Sequence, residues 1–213
     1  MLIKNNRYDN CRTICHNISS DINVDTMLYT AGPEHIWISA DYHLYTYDKD
    51  AHKIVKNPDY NEIFYKHNRL VNDEEDIFIF LGDLVDDECQ CYTQLAQEFA
   101  EHPLHGAYKI FILGNNDLQP ESYYIDQLGF DSVYYAYQYG PYVFSHMPLT
   151  HHTGYNIHGH IHQYWNYGYN GASACNKMKV YTKDHHNAPI TLQSIITLWN
   201  QGWYAQQIAQ HAE

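Results

Sequence analysis

Short, nearly continuous apolar runs alternate along the chain with stretches whose apolar residues recur at helical spacing. His35–Ala40 (HIWISA), Asp76–Gly82 (DIFIFLG) and Lys109–Gly114 (KIFILG) have the pattern of strands buried on both faces. Between them, Asp59–Val71 carries Ile63, Phe64, His67, Leu70 and Val71 at helical spacing, and Tyr92–His102 reads as a second helix. Ser132–Tyr139 and Tyr142–Ser145 are β-rich and separated by Gly140-Pro141, a hairpin signal. Tyr155–His158 is a short strand, Lys177–Thr182 an edge strand, and Thr191–Asn200 a helix that begins after Pro189. The first half is βαβ-like and the second richer in antiparallel β, which predicts an α/β protein with at least one mixed sheet. Residues 1–33 are polar and Asn-rich and end at Gly32-Pro33. They read as an N-terminal extension with a short strand around Met27–Thr30, ahead of one domain over residues 34–213.

The polar residues fall in a pattern of their own. HIWISA runs into Asp41-Tyr42-His43, DIFIFLG into Asp83, and KIFILG into Asn115-Asn116-Asp117. YVFS runs into His146, and YNIHG into His160 and His162. Ligands of open α/β sheets bind beyond the carboxyl ends of strands, so five strand ends that offer Asp, Asn and His point to one converging site.

Composition narrows what that site can do. The chain has 213 residues, with 12 Lys+Arg against 25 Asp+Glu, a net charge of −13 with His neutral. That field repels long nucleic acid and anionic membranes. The arginines are Arg7, Arg12 and Arg69, which leaves little material for guanidinium clamps on phosphate. A phosphate-handling site here needs cations from elsewhere, and the 16 histidines give it the means to hold metal. The five cysteines, an odd number, follow a start with no apolar leader segment, which points to reduced thiols in the cytoplasm. Cys11, Cys15 and His16 find no second pair at zinc-finger spacing and are read as plain thiols and a loop histidine.

The ordered series D-x-H, G-D, G-N-x-D, H and G-H-x-H resembles the calcineurin-like metallophosphoesterases, most closely the small bacterial and phage-type members. The resemblance spans about residues 35–200. It implies a four-layer α/β-β/α sandwich with two mixed sheets and a dinuclear metal site at the carboxyl ends of the strands. By the same resemblance, Asp41, His43 and His162 hold one divalent ion, Asn115, His146 and His160 hold a second, and Asp83 bridges them. Mixed oxygen and imidazole ligands suit Mn first, with Fe or Zn as alternatives. Two ions about 4 Å apart generate a nucleophilic hydroxide and offset the charge that builds on a phosphoryl group. The implied activity is metal-dependent phosphoester hydrolysis without a covalent enzyme intermediate.

Asn116 and Asp117 fall at the positions that the resemblance makes catalytic, but the usual histidine at 116 is here an asparagine. An amide donates a hydrogen bond and cannot deliver a proton at neutral pH. His151 and His152 either substitute for it or are solvent-facing loop residues. Thr46 stands where many small relatives carry a second histidine after the first motif. Leu84-Val85-Asp86-Asp87 lacks the arginine that contacts phosphate monoesters in related phosphatases. Asp86 and Asp87 are either acceptors for ligand imidazoles or solvated loop acids. Tyrosines crowd the second half, among them Tyr135, Tyr137, Tyr139, Tyr164, Tyr167 and Tyr169 with Trp165; they are either pocket residues that stack on a base or ordinary strand residues, as the alternation of Tyr135, Tyr137 and Tyr139 suggests. The missing arginines favour a phosphodiester, on a small or nucleotide substrate. The alternatives are a small-metabolite phosphomonoesterase and a catalytically weakened metal-binding module that docks a partner.

Overall fold

The computed structural model describes residues 21–86, 89, 91–149, 152, 154–162 and 177–202. The readings of Cys11, Cys15, His16, Asp87, His151, Tyr164, Trp165, Tyr167 and Tyr169 lie outside the described residues.

The first element among the described residues is a helix, α1 (Ile22–Ala31), where a strand is expected around Met27–Thr30. Asp21 caps it, accepting from the backbone N–H groups of Asn23 and Val24, and Val24 and Leu28, one helical turn apart, enter the core. The apolar stripe is only two buried residues wide in a polar segment, which is why the pattern did not announce it.

From there the described residues build three sheets. β1 (Ile36–Ser39), β4 (Ile77–Phe80), β5 (Tyr108–Ile112) and β6 (Ser132–Tyr134) run parallel in that order, and β11 (Ile190–Thr191) pairs antiparallel with β1 at the edge. β7 (Ala136–Tyr139), β8 (Tyr142–Ser145), β9 (Tyr155–His158) and β10 (Lys177–Lys179) form a second mixed sheet, antiparallel between β7 and β8 and parallel beyond. The run Ser132–Tyr139, which reads as one strand, is divided at Tyr135 between the two sheets. A hairpin of β2 (Tyr45–Asp48) and β3 (Lys53–Lys56) stands apart. Helices α2 (Tyr60–Leu70), α3 (Tyr92–Glu101), α4 (Glu121–Asp126) and α5 (Leu192–Asn200) and a 3-10 turn at Thr182–His185 complete the described elements.

The apolar runs explain the layering. In β4 and β5 the two faces differ in kind: Phe78, Phe80 and Phe111 turn to one side, and Ile77, Ile79, Ile110 and Ile112 to the other. The phenylalanines pack against Ile63 and Phe64 of α2 and Leu95 and Phe99 of α3. The isoleucines meet Tyr137, Phe144, Ile157 and Met178 of the second sheet, joined by Val24 and Leu28 of α1 and Leu192 and Ile195 of α5. Each fully buried Phe or Ile contributes about 2 kcal/mol relative to exposure, so the central strands carry the fold and their ends are fixed in space. Among the described residues, no helix is long and apolar enough to cross a membrane.

Candidate metal centre

The loops that follow β1 and β4 run side by side. Asp41 N–H donates to Gly82 O (2.9 Å), His43 N–H to Asp83 O (3.1 Å) and Leu44 N–H to Leu84 O (2.8 Å). This extends the parallel pairing past the strands and brings Asp41, His43 and Asp83 together. The register needs small residues at the crossing. A Cβ on Gly82 would lie 2.5 Å from Gly114 N, and one on Gly114 would overlap the Asp83 carboxylate. Asp41, His43, Asp83 and His160 all adopt positive φ, from 42° to 64°, a region that non-glycine residues rarely enter and that clusters at functional sites.

The donor atoms form two groups. In one, His162 Nε2 lies 3.4 Å from Asp41 Oδ1 and 3.3 Å from His43 Nε2. In the other, His146 Nε2 lies 3.1 Å from His160 Nδ1, 2.9 Å from Asn115 Oδ1 and 3.4 Å from Asp83 Oδ2. Asp83 Oδ2 is also 4.0 Å from His43 Nε2, so its carboxylate faces both groups. All seven residues that the sequence singled out as ligands are therefore drawn into one place.

Hydrogen bonds set the imidazole tautomers. His43 Nδ1 donates to Asp86 Oδ1 (2.6 Å) and His146 Nδ1 to the Leu81 carbonyl (2.7 Å), which leaves both Nε2 lone pairs aimed inward. Of the two acids following Leu84-Val85, Asp86 thus takes the role of acceptor for an imidazole. Each pair of facing nitrogens, 3.1 and 3.3 Å apart, needs a proton or a metal ion between them. Burial disfavours a proton on His146, yet the Asp83 carboxylate beside it lifts its pKa to about 9. His160, half-buried and facing His146, falls to about 4 through partial burial and the His146 charge. The Asp83 carboxylate thus favours positive charge beside His146. Among the described residues, no lysine or arginine pairs with Asp41, Asp83 or Asp117. Two buried carboxylates, a neutral amide oxygen and four imidazoles fit a pair of divalent cations.

Asn116 and Asp117 are turned inward. The Asn116 amide donates through Nδ2 to Asp83 Oδ2 (2.9 Å), and its Oδ1 accepts from Asn115 Nδ2 (2.7 Å). It ties two donors together. Asp117 is buried and accepts from the backbone N–H groups of Asp83 (2.8 Å), Leu84 (3.2 Å) and Gly114 (2.7 Å), a clamp between the β4 and β5 loops. Its carboxyl is pushed up to about 6 by burial and by the Asp83 charge. Tyr181, which the sequence did not single out, stacks on His162 with ring centres 4.4 Å apart and planes 7° from parallel. The only sequence signal for it was an aromatic just past an edge strand.

Two mixed sheets with a cluster of metal donors at their strand ends define a metallohydrolase of the α/β-β/α class. The model of the calcineurin-like phosphoesterases matches residues 34–207, and the chain belongs to that family. It is a metal-dependent phosphoesterase, a hydrolase. A protein of unknown function from Aquifex aeolicus has a similar fold, with a TM-score of 0.53 and 17% identity over 76% of this chain and 98% of that one. Nuclease MPE from Pseudomonas putida matches at a TM-score of 0.42 and 18% identity, over 61% of this chain and 62% of its own. No curated protein matches the sequence.

Proposed function

We propose that the protein is a phosphodiesterase acting on a small or nucleotide substrate. Asp41, His43 and His162 would hold one divalent cation, Mn first among candidates, Asn115, His146 and His160 would hold the other, and Asp83 would bridge them. Such cations supply Lewis acidity to phosphoryl oxygens and lower the pKa of bound water. The chain's own residues then have distinct tasks. Asp86 and the Leu81 carbonyl keep His43 and His146 in the tautomers that present Nε2. Asp117 keeps the two loops in register. Asn116 orients the Asn115 oxygen and the Asp83 carboxylate.

The observation that carries the diester reading is the charge of the centre. Lys179, which donates to the His162 carbonyl (3.4 Å), is paired with Asp184 (2.7 Å), and no guanidinium among the described residues pairs with the centre's carboxylates, so a monoanionic diester is matched better than a dianionic monoester. With its amide engaged by Asp83 and Asn115, Asn116 offers no proton to a leaving group, which favours esters whose leaving groups depart unprotonated. Hydrolysis of bis-p-nitrophenyl phosphate and p-nitrophenyl phosphate, measured side by side with added Mn²⁺ and with chelator, tests this. Metal-dependent cleavage of the diester well above that of the monoester is the expected result. Preference for the monoester would overturn the reading.

A further inference from the structure

Beside the Asp41–His43–His162 group lies a half-open cleft of about 210 Å³. It reaches Asp41 and His43 and is lined by Thr46 and Val55, which are cross-strand partners in the β2–β3 hairpin, and by Pro58 and Tyr181. We propose that this cleft holds an uncharged, single-ring ester group of the substrate, an assignment that rests on the phosphodiesterase reading above.

Three observations carry it. The first is position. The cleft borders Asp41 and His43 of the metal centre and is walled by Tyr181, which stacks on His162, so it adjoins the open half of the centre. The second is size. A cavity of about 150 Å³ accepts benzene, so this one takes a single ring with room for a substituent and is small for a whole nucleotide. The third is charge. The two lysines at its walls are each answered by a carboxylate: Lys56 Nζ lies 2.9 Å from Glu98 Oε1, and Lys183 Nζ 3.9 Å from Asp59 Oδ2. A second phosphate would find no surplus positive charge there. A neutral ring would find Val55, Pro58 and the Tyr181 ring, which stacking on His162 holds in place. Thr46, standing where the resemblance to small relatives led us to expect a histidine, adds no charge.

The test is calorimetric binding of two slowly hydrolysed diesters, diphenyl phosphate and dimethyl phosphate, to the Mn²⁺-loaded protein. Both carry one negative charge and differ in their ester groups. The expected result is that diphenyl phosphate binds at least about tenfold more tightly, because one phenyl ring is taken out of water. Val55→Trp fills the cleft and should abolish that preference. Ile54→Trp, on the other face of the same strand and 40% exposed, should retain it. Thr46→Phe fills the cleft from the partner strand and repeats the test if Val55→Trp fails to fold. Equal affinity for the two diesters, or equal effects of Val55→Trp and Ile54→Trp, would overturn the assignment. If bis-p-nitrophenyl phosphate is hydrolysed while the ring gives no advantage, the cleft assignment alone fails. If neither diester binds and bis-p-nitrophenyl phosphate is not cleaved, both readings fail.

Discussion

The two halves of the centre differ in how they meet solvent. Asp83 and His146 are 4% and 2% exposed at the side chain, with His160 half-buried, whereas beside the buried Asp41 His43 is 18% and His162 42% exposed. The closed half is wrapped by the β4 and β5 loops, the Leu81 carbonyl and the two asparagines. The open half looks onto the cleft and leans on a carboxylate, Asp86, that is itself 35% exposed. The difference teaches a division of labour. A closed group holds its ion by complete coordination, and an open one leaves room for a substrate to complete it. Asp83, facing both, links the two.

Substitutions can separate or abolish this contrast. The largest effect is expected for Asp83→Asn, which removes the shared carboxylate: activity falls by more than about 100-fold, since loss of a mere supporting partner already costs 10–100-fold. Metal analysis should show both ions weakened, and full activity in this variant would refute the assignment of the site. Asp86→Asn should reach only the open half. Affinity for one of two ions falls about 10–100-fold in a chelator titration while the other is held as in the parent protein. Asn116→Ala should reach mainly the closed half, through loss of the Asn115 contact, with an expected drop of about tenfold in affinity for the more tightly held ion. The dependence of rate on leaving-group pKa should stay as in the parent protein. A steeper dependence would show that the residue at 116 touches the leaving group.

The smallest effect lies away from the centre and calibrates the rest. His35 Nδ1 is 2.7 Å from Asp76 Oδ1, and this hydrogen bond raises the imidazole pKa above 6.5 against the opposing effect of burial. The charged form is the stabilising one. Its contribution is complete below the unfolded value of 6.5 and fades as pH rises through the higher folded value. With His35 side chain 42% exposed, the effect on stability is about 0.5 kcal/mol. His35→Gln should flatten the thermal-stability profile across that window and leave metal binding unchanged.

The donors were legible in the sequence because each lies within a few residues of a strand end, and strand ends are marked by an abrupt change from apolar to polar. Their order added what no single motif held. The hairpin of β2 and β3 was not legible: its strands are four residues each, carry lysines and aspartate, and gain stability from a cross-strand pairing that periodicity does not record. The cleft escaped for the same reason, since its walls come from that hairpin and from Tyr181, far apart in the chain. The inward turn of Asn116 depends on where Asp83 sits, which a motif position does not state. The α1 helix, where the sequence predicts a short strand around Met27–Thr30, rests on the Asp21 cap and two buried residues, a signal too short to show as periodicity in a polar segment.

The left-handed backbones at Asp41, His43, Asp83 and His160 have a consequence for drift over generations. Each holds the folded chain back by about 1 kcal/mol, and glycine in the same place would not. Mutation toward stability therefore runs against these four positions, as it does at many working sites. A lineage freed from the need for the centre would shed them early and gain thermal tolerance as it did.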